Sequence, residues 1–335
     1  MNDAPASSTS APLGNRLSRG VLGTSDIVFM VMAAAAPMAV VVALMPLSFA
    51  FGNGAGVPGT YVAAGAAMLL FAVGYVRLIP HVKNAGAFYA YIAASLGRGC
   101  GLAAAYVAAL CYFSLSASTL AALAYFAEQF CAQMTGVRTH WEYWAVGSAL
   151  LIWFLSYHRI TLAAKVLTAA LVAEILLILL LDVAVIRDVG PQGFNRRDFS
   201  PGVVFAPGVG ISAIYAFNSM LGVEGTAIYQ EEARNAAVSV PRATYVSILV
   251  MVVFYVFTAW CMTSSVGDAH IAAIAKQDPG LFVFNRALEH LGMGGATAIS
   301  VLVLTSSVAA VSALFNNSAR YLFALSRDFV GDTSE

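Results

Sequence analysis

Residues 213–235 read AIYAFNSMLGVEGTAIYQEEARN. The stretch opens as an apolar helix, then places Asn218, Ser219, Gly222, Glu224 and Gly225 where a helix built only for packing would carry Leu or Val. It overlaps the run 199–223, which contains no Asp, Glu, Lys or Arg, and about 20 apolar residues are enough to cross a bilayer. Backbone groups at membrane depth must be bonded within the protein, so a broken helix survives there only where it is buried or lines a cavity. An ionised Glu near the bilayer centre costs at least ~2.5 kcal/mol on insertion scales, which directs Glu224 to the interior and to a partner. Two readings of the segment stand: a polar break at a ligand site, and a glycine helix contact with one structural acid.

The rest of the chain supports a membrane setting. Of 335 residues, 60% are hydrophobic and 10% charged, and the mean hydropathy is +0.80, whereas soluble domains carry about 25% charged residues. Charge-free runs also cover 27–76, 99–127, 243–267 and 290–319. The formal net charge is zero and no basic stripe appears, which argues against a nucleic-acid partner. The four cysteines form no CxxC or Cys/His cluster, so no metal site or cofactor is expected. The first 20 residues, rich in Ser, Ala, Pro and Asn, read as a disordered tail.

The patterning predicts an all-α membrane protein with eight spans, near 26–50, 58–79, 100–130, 142–158, 161–186, 203–229, 242–265 and 295–323. Trp141, Tyr143 and Trp144 at one end of the short fourth span and Trp153 and Tyr157 at the other suit interfacial belts. With the N-terminus inside, Lys and Arg divide 11 inside against 6 outside, the expected bias for a cytoplasmic N-terminus. Residues 84–97 and 278–292 read as amphipathic helices, the first at the inner interface and the second over the outer mouth.

The first span is interrupted as well. In MAAAAPMAV, Pro37 follows Ala33, Ala34, Ala35 and Ala36 near the span's midpoint, removing one backbone bond and freeing carbonyls near Ala33. Spans one and six are five apart, so two five-span repeats would have opposite topology. Interrupted segments at corresponding positions of inverted halves point to a transporter's midplane site. The candidate substrate residues are therefore Ala33, Ala34, Ala35, Ala36, Pro37, Phe217, Asn218, Ser219, Gly222 and Glu224.

The chain resembles the amino acid–polyamine–organocation superfamily of permeases. Phe217, Gly222 and Glu224 match its aromatic and Gly-x-Glu pattern, and Glu231, Glu232, Ala233, Asn235, Pro241 and Arg242 match the segment that follows. NAGAFYAY (84–91) and SARYLFALSRD (318–328) resemble two further family elements. The resemblance covers about residues 20–330. It implies a LeuT-type inverted-repeat fold, with a first repeat at 21–190 and a second at 191–335. It also implies a secondary transporter in the cytoplasmic membrane that moves an amino acid or related amine by alternating access. This sequence departs from the family in the first span, where alanines and Pro37 replace the usual Gly-x-Gly, and at Ala236, where Pro is usual.

Coupling is implied by the same resemblance. Proton-coupled relatives place a fifth-span lysine where sodium sits in sodium-coupled cousins, and Lys165 matches it; Ser306 and Ser307 match the hydroxyl pair that binds sodium there. The driving ion is thus a proton, with sodium as the alternative. Snorkelling of Lys165 and backbone bonding of the serines are the plain structural readings. Glu174 is a proton-path candidate or a buried hydrogen-bonded acid, and Asp182 is expected at the outer interface. Glu231, Glu232, Arg234 and Arg242 are an inner gate on the resemblance, a solvated charge run without it.

No HExxH, GxSxG or Walker pattern occurs, which argues against an enzyme. GNGAGVPG (52–59) reads as the outer turn between spans one and two. Eight spans of an expected twelve suggest a C-terminally truncated member, and a non-transporting fragment that serves as a binding or assembly partner is the alternative to transport.

Overall fold

A computed structural model describes residues 22–79, 81, 88–158, 164–231 and 233–325. The tail at 1–20 and Glu232 lie outside the described residues. The first span comprises α1 (Thr24–Ala35), α2 (Pro37–Ala39), a π-helical turn at Val40–Leu44 and α3 (Met45–Phe51). Then come α4 (Val57–Leu78), α5 (Phe88–Leu96), α6 (Arg98–Thr135), α7 (Trp141–Tyr157) and α8 (Ala164–Val189). The second half holds α9 (Pro201–Val204), α10 (Val209–Asn218), a 3-10 stretch at Val223–Glu231, α11 (Ala236–Val266), α12 (Ile271–Gln277) and α13 (Phe282–Leu325). We call the end where α1 begins the near end and the opposite one the far end.

The protein is an all-α membrane protein. Among the described residues six helical stretches are long and apolar enough to cross a bilayer: Thr24–Phe51, Gly54–Leu78, Arg98–Thr135, Thr168–Val189, Ala236–Val266 and Phe282–Asn316. The expected fourth span is the 17-residue α7, shorter than the ~20 residues a span needs. The expected sixth is divided between the 10-residue α10 and the 3-10 stretch. Leu70, Val107, Leu110, Phe113, Val146, Trp153, Leu176 and Val253 point outward, the apolar exterior that lipid requires.

Burial decides which helices are central. The first and seventh spans are the most enclosed of the six. The first packs on α11 and α8, and α4 packs on α11 and α10. A Cβ at Gly65 would come within 2.4 Å of Val252, so glycine lets α4 and α11 approach closely. On the other side α6 packs on α13, α5 and α7, and α13 also packs on α8. Spans one, two, six and seven thus pack together on one side and spans three, four and eight on the other, with span five (α8) packing on the first span, α11 and α13.

The predicted amphipathic segments are helical. Within 84–97, α5 ends at Gly97, whose φ of 91° stops the helix, and Tyr91 is buried with its ring on Tyr75 of α4. Within 278–292, Asp278 caps the far-end part of α13 by accepting from Leu281 N–H at 3.1 Å. Gly292, φ 71° and ψ −172°, then turns that helix into the spanning part of α13. At 52–59 the chain makes a 3-10 turn (Gly54–Gly56) and enters α4. There the buried Asn53 side chain donates to Val204 O at 2.7 Å and to Thr60 Oγ1 at 2.8 Å, and Ser212 Oγ donates to Asn53 Oδ1 at 2.7 Å. These bonds tie the turn after span one to the start of span six.

Asp198, in the far-end turn Arg196–Phe199, is 1% exposed beside Asp268 and under the Trp260 indole. Burial, and then the neighbouring Asp268 charge, push its carboxyl up to about 7. A carboxyl raised in the folded state stabilises the fold when protonated. Its contribution is therefore complete below the ordinary carboxylate range and is lost as pH rises through about 7. The melting temperature of the purified protein should fall across that window, and Asp198→Asn should flatten the dependence; an unchanged slope in the variant would show that another group carries it.

Candidate functional site

The two breaks predicted from sequence meet. In the first span Pro37 cannot donate a backbone bond, and a proline disfavours the α region for the residue before it. Ala36 takes the left-handed region instead (φ 46°, ψ 67°), the one non-glycine residue with positive φ among those described. Its N–H turns back to Ala33 O at 3.3 Å, and the helix restarts with Pro37 in its first turn. A left-handed alanine costs about 1–2 kcal/mol, so Ala36→Gly should raise the melting temperature through a gain of ~1 kcal/mol. A drop instead would mean that the Ala36 methyl contributes more by packing than its backbone loses.

In the sixth span α10 stops at Asn218, and Ser219, Met220 and Leu221 make single turn bonds to Tyr215, Phe217 and Asn218. Gly222 follows with φ 106°. A Cβ on Gly222 would sit 3.5 Å from Ala34 Cβ, Ala35 N and Val31 O, so the two breaks are in contact. Ser219 Oγ donates to Tyr215 O at 2.7 Å, leaving it to accept from Tyr61 Oη of α4 at 3.0 Å.

Glu224 folds back over its own break. Its Oε2 accepts from Gly222 N–H at 2.8 Å and its Oε1 from Tyr112 Oη of α6 at 2.9 Å. Its backbone carbonyl accepts from Tyr75 Oη of α4 at 2.6 Å. One acid thereby satisfies an amide that the missing helical turn leaves open and links span six to spans two and three.

Beside the breaks lies a cavity of about 200 Å³. Ala34, Ala35, Ala36, Ala39, Val40, Ala43, Leu44 and Leu47 form its span-one wall, Asn218 and Leu221 its span-six wall. Leu115, Ser118, Thr119, Ala122 and Phe126 come from α6, and Ser307, Ala310 and Leu314 from α13. The lining is apolar apart from Asn218 and three hydroxyls, a composition usual for small-molecule sites. Phe126 also lines a second cavity of about 300 Å³ at the far end, with Gln129, Gln133, Arg138 and Asn285. Phe126 thus borders both spaces.

The remaining predicted residues divide. Ala34, Ala35, Ala36, Asn218 and Ser307 line the cavity, and Pro37 is buried at the restart of the helix. Phe217 is 42% exposed, and neither it nor Ala33, Ser219, Gly222 or Glu224 is part of the lining. Ser306 and Ser307, adjacent in sequence, part company: Ser307 turns to the cavity, whereas Ser306 Oγ donates to Glu174 Oε2 of α8 at 3.1 Å. The side chains of Lys165 and Glu231, like all of Glu232, lie outside the described residues. Arg234 and Arg242 are exposed at the near end. There Arg234 N–H donates to Leu22 O at 2.9 Å, and Leu22 and Ala233 form an isolated parallel bridge. Asp182, expected at the outer interface, does not face the exterior: it is fully buried, because α11 covers it and Thr258 Oγ1 donates to its Oδ2 at 2.8 Å.

Sequence reasoning missed Tyr112, Tyr75 and the α6 wall. The small polar residues of SLSAST (114–119) were a faint signal, but nothing local shows which face of a 38-residue helix meets a break more than a hundred residues away.

Two broken helices meeting at a cavity inside a multi-pass apolar bundle are the architecture of a membrane transporter. The chain matches the amino acid permease family over residues 26–330 and belongs to it. That family is one of transporters, and its members carry a small-molecule substrate across a lipid bilayer. Among curated proteins none matches the chain.

Proposed function

We propose that the protein is a secondary active transporter that moves amino acids or related amines across the cytoplasmic membrane, driven by protons, by alternating access. The observation that carries this reading is the contact of the two breaks at one cavity. Spans one, two, six and seven would rock against spans three, four, five and eight around it, in the manner of a LeuT-type inverted repeat of 21–190 and 191–335. The near end, with Leu22, Arg234 and Arg242, would be cytoplasmic, and the pairing there of Leu22 with the chain after span six would belong to the inner gate.

A zwitterion fits the electrostatics of the breaks. The helix restarting at Pro37 presents the positive end of its dipole, which favours a carboxylate. Glu224, on the span-six break beside the cavity rather than in its lining, would attract an ammonium through its charge. Asn218, Ser118, Thr119 and Ser307 offer further hydrogen bonds. The cavity lies below the ~300–1,000 Å³ usual for ligand pockets, which favours a small side chain.

The test is uptake of a radiolabelled panel of amino acids and amines into proteoliposomes containing the chain, with and without an imposed pH gradient. Saturable uptake that follows the proton gradient and is strongest for small amino acids is expected. Uptake indifferent to the gradient would overturn the coupling, and absence of any uptake would overturn transport by this chain.

A further inference from the structure

Away from the substrate cavity, spans five and seven enclose acids and hydroxyls that substrate binding does not use. Glu174 is 4% exposed. Its carboxylate accepts from Ser306 Oγ of span eight at 3.1 Å and from the Met38 backbone amide, just past the span-one break. It therefore joins both groups of spans at the point where they must part for alternating access. Two turns further along α8, Asp182 is fully buried; its Oδ2 accepts from Thr258, while its Oδ1 has no partner among the described residues.

Tyr255 of α11 lies one turn before Thr258, the residue that holds Asp182; it is fully buried, its hydroxyl has no partner among the described residues, and it is within electrostatic reach of Glu174. Its ring packs on Tyr61 with centroids 5.7 Å apart, and the Tyr61 hydroxyl donates to Ser219 at the span-six break. Orphaned polar atoms at such depth destabilise a fold, and two of them here, Asp182 Oδ1 and Tyr255 Oη, belong to residues linked through neighbouring turns of α11, since Thr258 bonds Asp182 and Tyr255 lies one turn before it. We propose that Asp182, Tyr255 and Glu174 form a proton relay along the interface of spans five and seven, with Glu174 the residue that holds the driving proton.

The relay rests on the secondary-transport reading above and gives it a mechanism. A proton entering from the far end reaches Asp182, passes by way of the Tyr255 hydroxyl, and neutralises Glu174. No other bond is made or broken. Neutral Glu174 holds the Met38 amide less tightly, because the bond is no longer charge-assisted, so span one is freed to move. Ser306 and Ser307 carry the event to the substrate, since one serine touches Glu174 and the next lines the cavity.

Among the described residues other titratable groups are few around this path. Cys261 of α11 faces Asp182. Asp198 and Asp268 lie at the far-end mouth around Trp260, and His290 is paired with Asp188 at 2.7 Å. Arg286 is paired with Glu289. Asp26 lies in the first turn of α1 and Arg242 is exposed near the start of α11, both at the near end.

The experiment compares wild type, Glu174→Gln, Glu174→Asp and Asp182→Asn in proteoliposomes, with the radiolabelled amino acid mixture as probe. Gradient-driven accumulation and equal-concentration counterflow are read side by side. Infrared spectra of each purified protein at about pH 8 and about pH 5 follow carboxyl protonation directly. Glu174→Gln should lose driven accumulation by about tenfold or more, retain counterflow and lack one carboxyl band. Glu174→Asp should recover part of the drive, and Asp182→Asn should slow it. Wild-type drive in Glu174→Gln would overturn the relay alone. Silence of the wild type in both assays would overturn the transport reading beneath it.

Discussion

Glu224→Gln should cut driven uptake at least roughly thirtyfold, while the protein still reaches the membrane. The substitution keeps the side chain's size and removes its charge. Both carboxylate oxygens are engaged, one by Gly222 N–H and one by Tyr112 Oη. A glutamine can keep one of these as acceptor and offer its amide to the tyrosine oxygen, so packing survives. Hydrogen bonds to a charged group contribute about 1.5–3 kcal/mol and neutral ones about 0.5–1.5. A net loss near 2–3 kcal/mol corresponds to a fall in rate of roughly thirty- to a hundredfold. In the proposed site the variant also loses the negative charge that meets the ammonium, which adds to the fall. Initial uptake rates per unit of reconstituted protein measure it, with membrane fractionation as the check on insertion. Uptake within a factor of about two of wild type would show that Glu224 is only a clasp on its own break.

Gly222→Ala should destabilise the fold, and Gly225→Ala should not. At Gly222 a Cβ would meet its neighbours at 3.5 Å, ordinary contact, so crowding is not the cause. The backbone is: φ is 106° there, a region that costs a side-chain-bearing residue about 1–3 kcal/mol. A Cβ at Gly225 would meet nothing within 4 Å, and its φ is not positive. The melting temperature of Gly222→Ala should fall by about 2–5 °C. Uptake should fall with it, because the tilt of the break against Ala34 and Ala35 depends on that φ. Equal stability of the two variants would mean that the break relaxes into an ordinary helix without cost.

These two glycines show how far sequence reading reaches. Both marked the sixth span as broken, and the break is there. Which glycine makes the turn was not legible, because φ at Gly222 is set by contact with span one. Asp182 shows the same limit in another form. Its position near the end of an apolar run suggested the interface, and only the packing of α11 with Thr258 makes it a buried acid. The fourth span was read from its aromatics, and those rings belong to a helix of 17 residues.

The sequence by itself determined that the chain is a helical membrane protein with breaks at Pro37 and around Gly222. Charge-free length and the missing proline N–H are covalent properties that act wherever the chain is placed. The tertiary structure alone decided what the breaks do. Tyr112 meets Glu224 across 112 residues and Ser306 meets Glu174 across 132. Ser306 and Ser307 face different sites because α13 packs between α8 and the cavity. Such partners are chosen by how long helices pack, a balance over many side chains that no local spacing encodes.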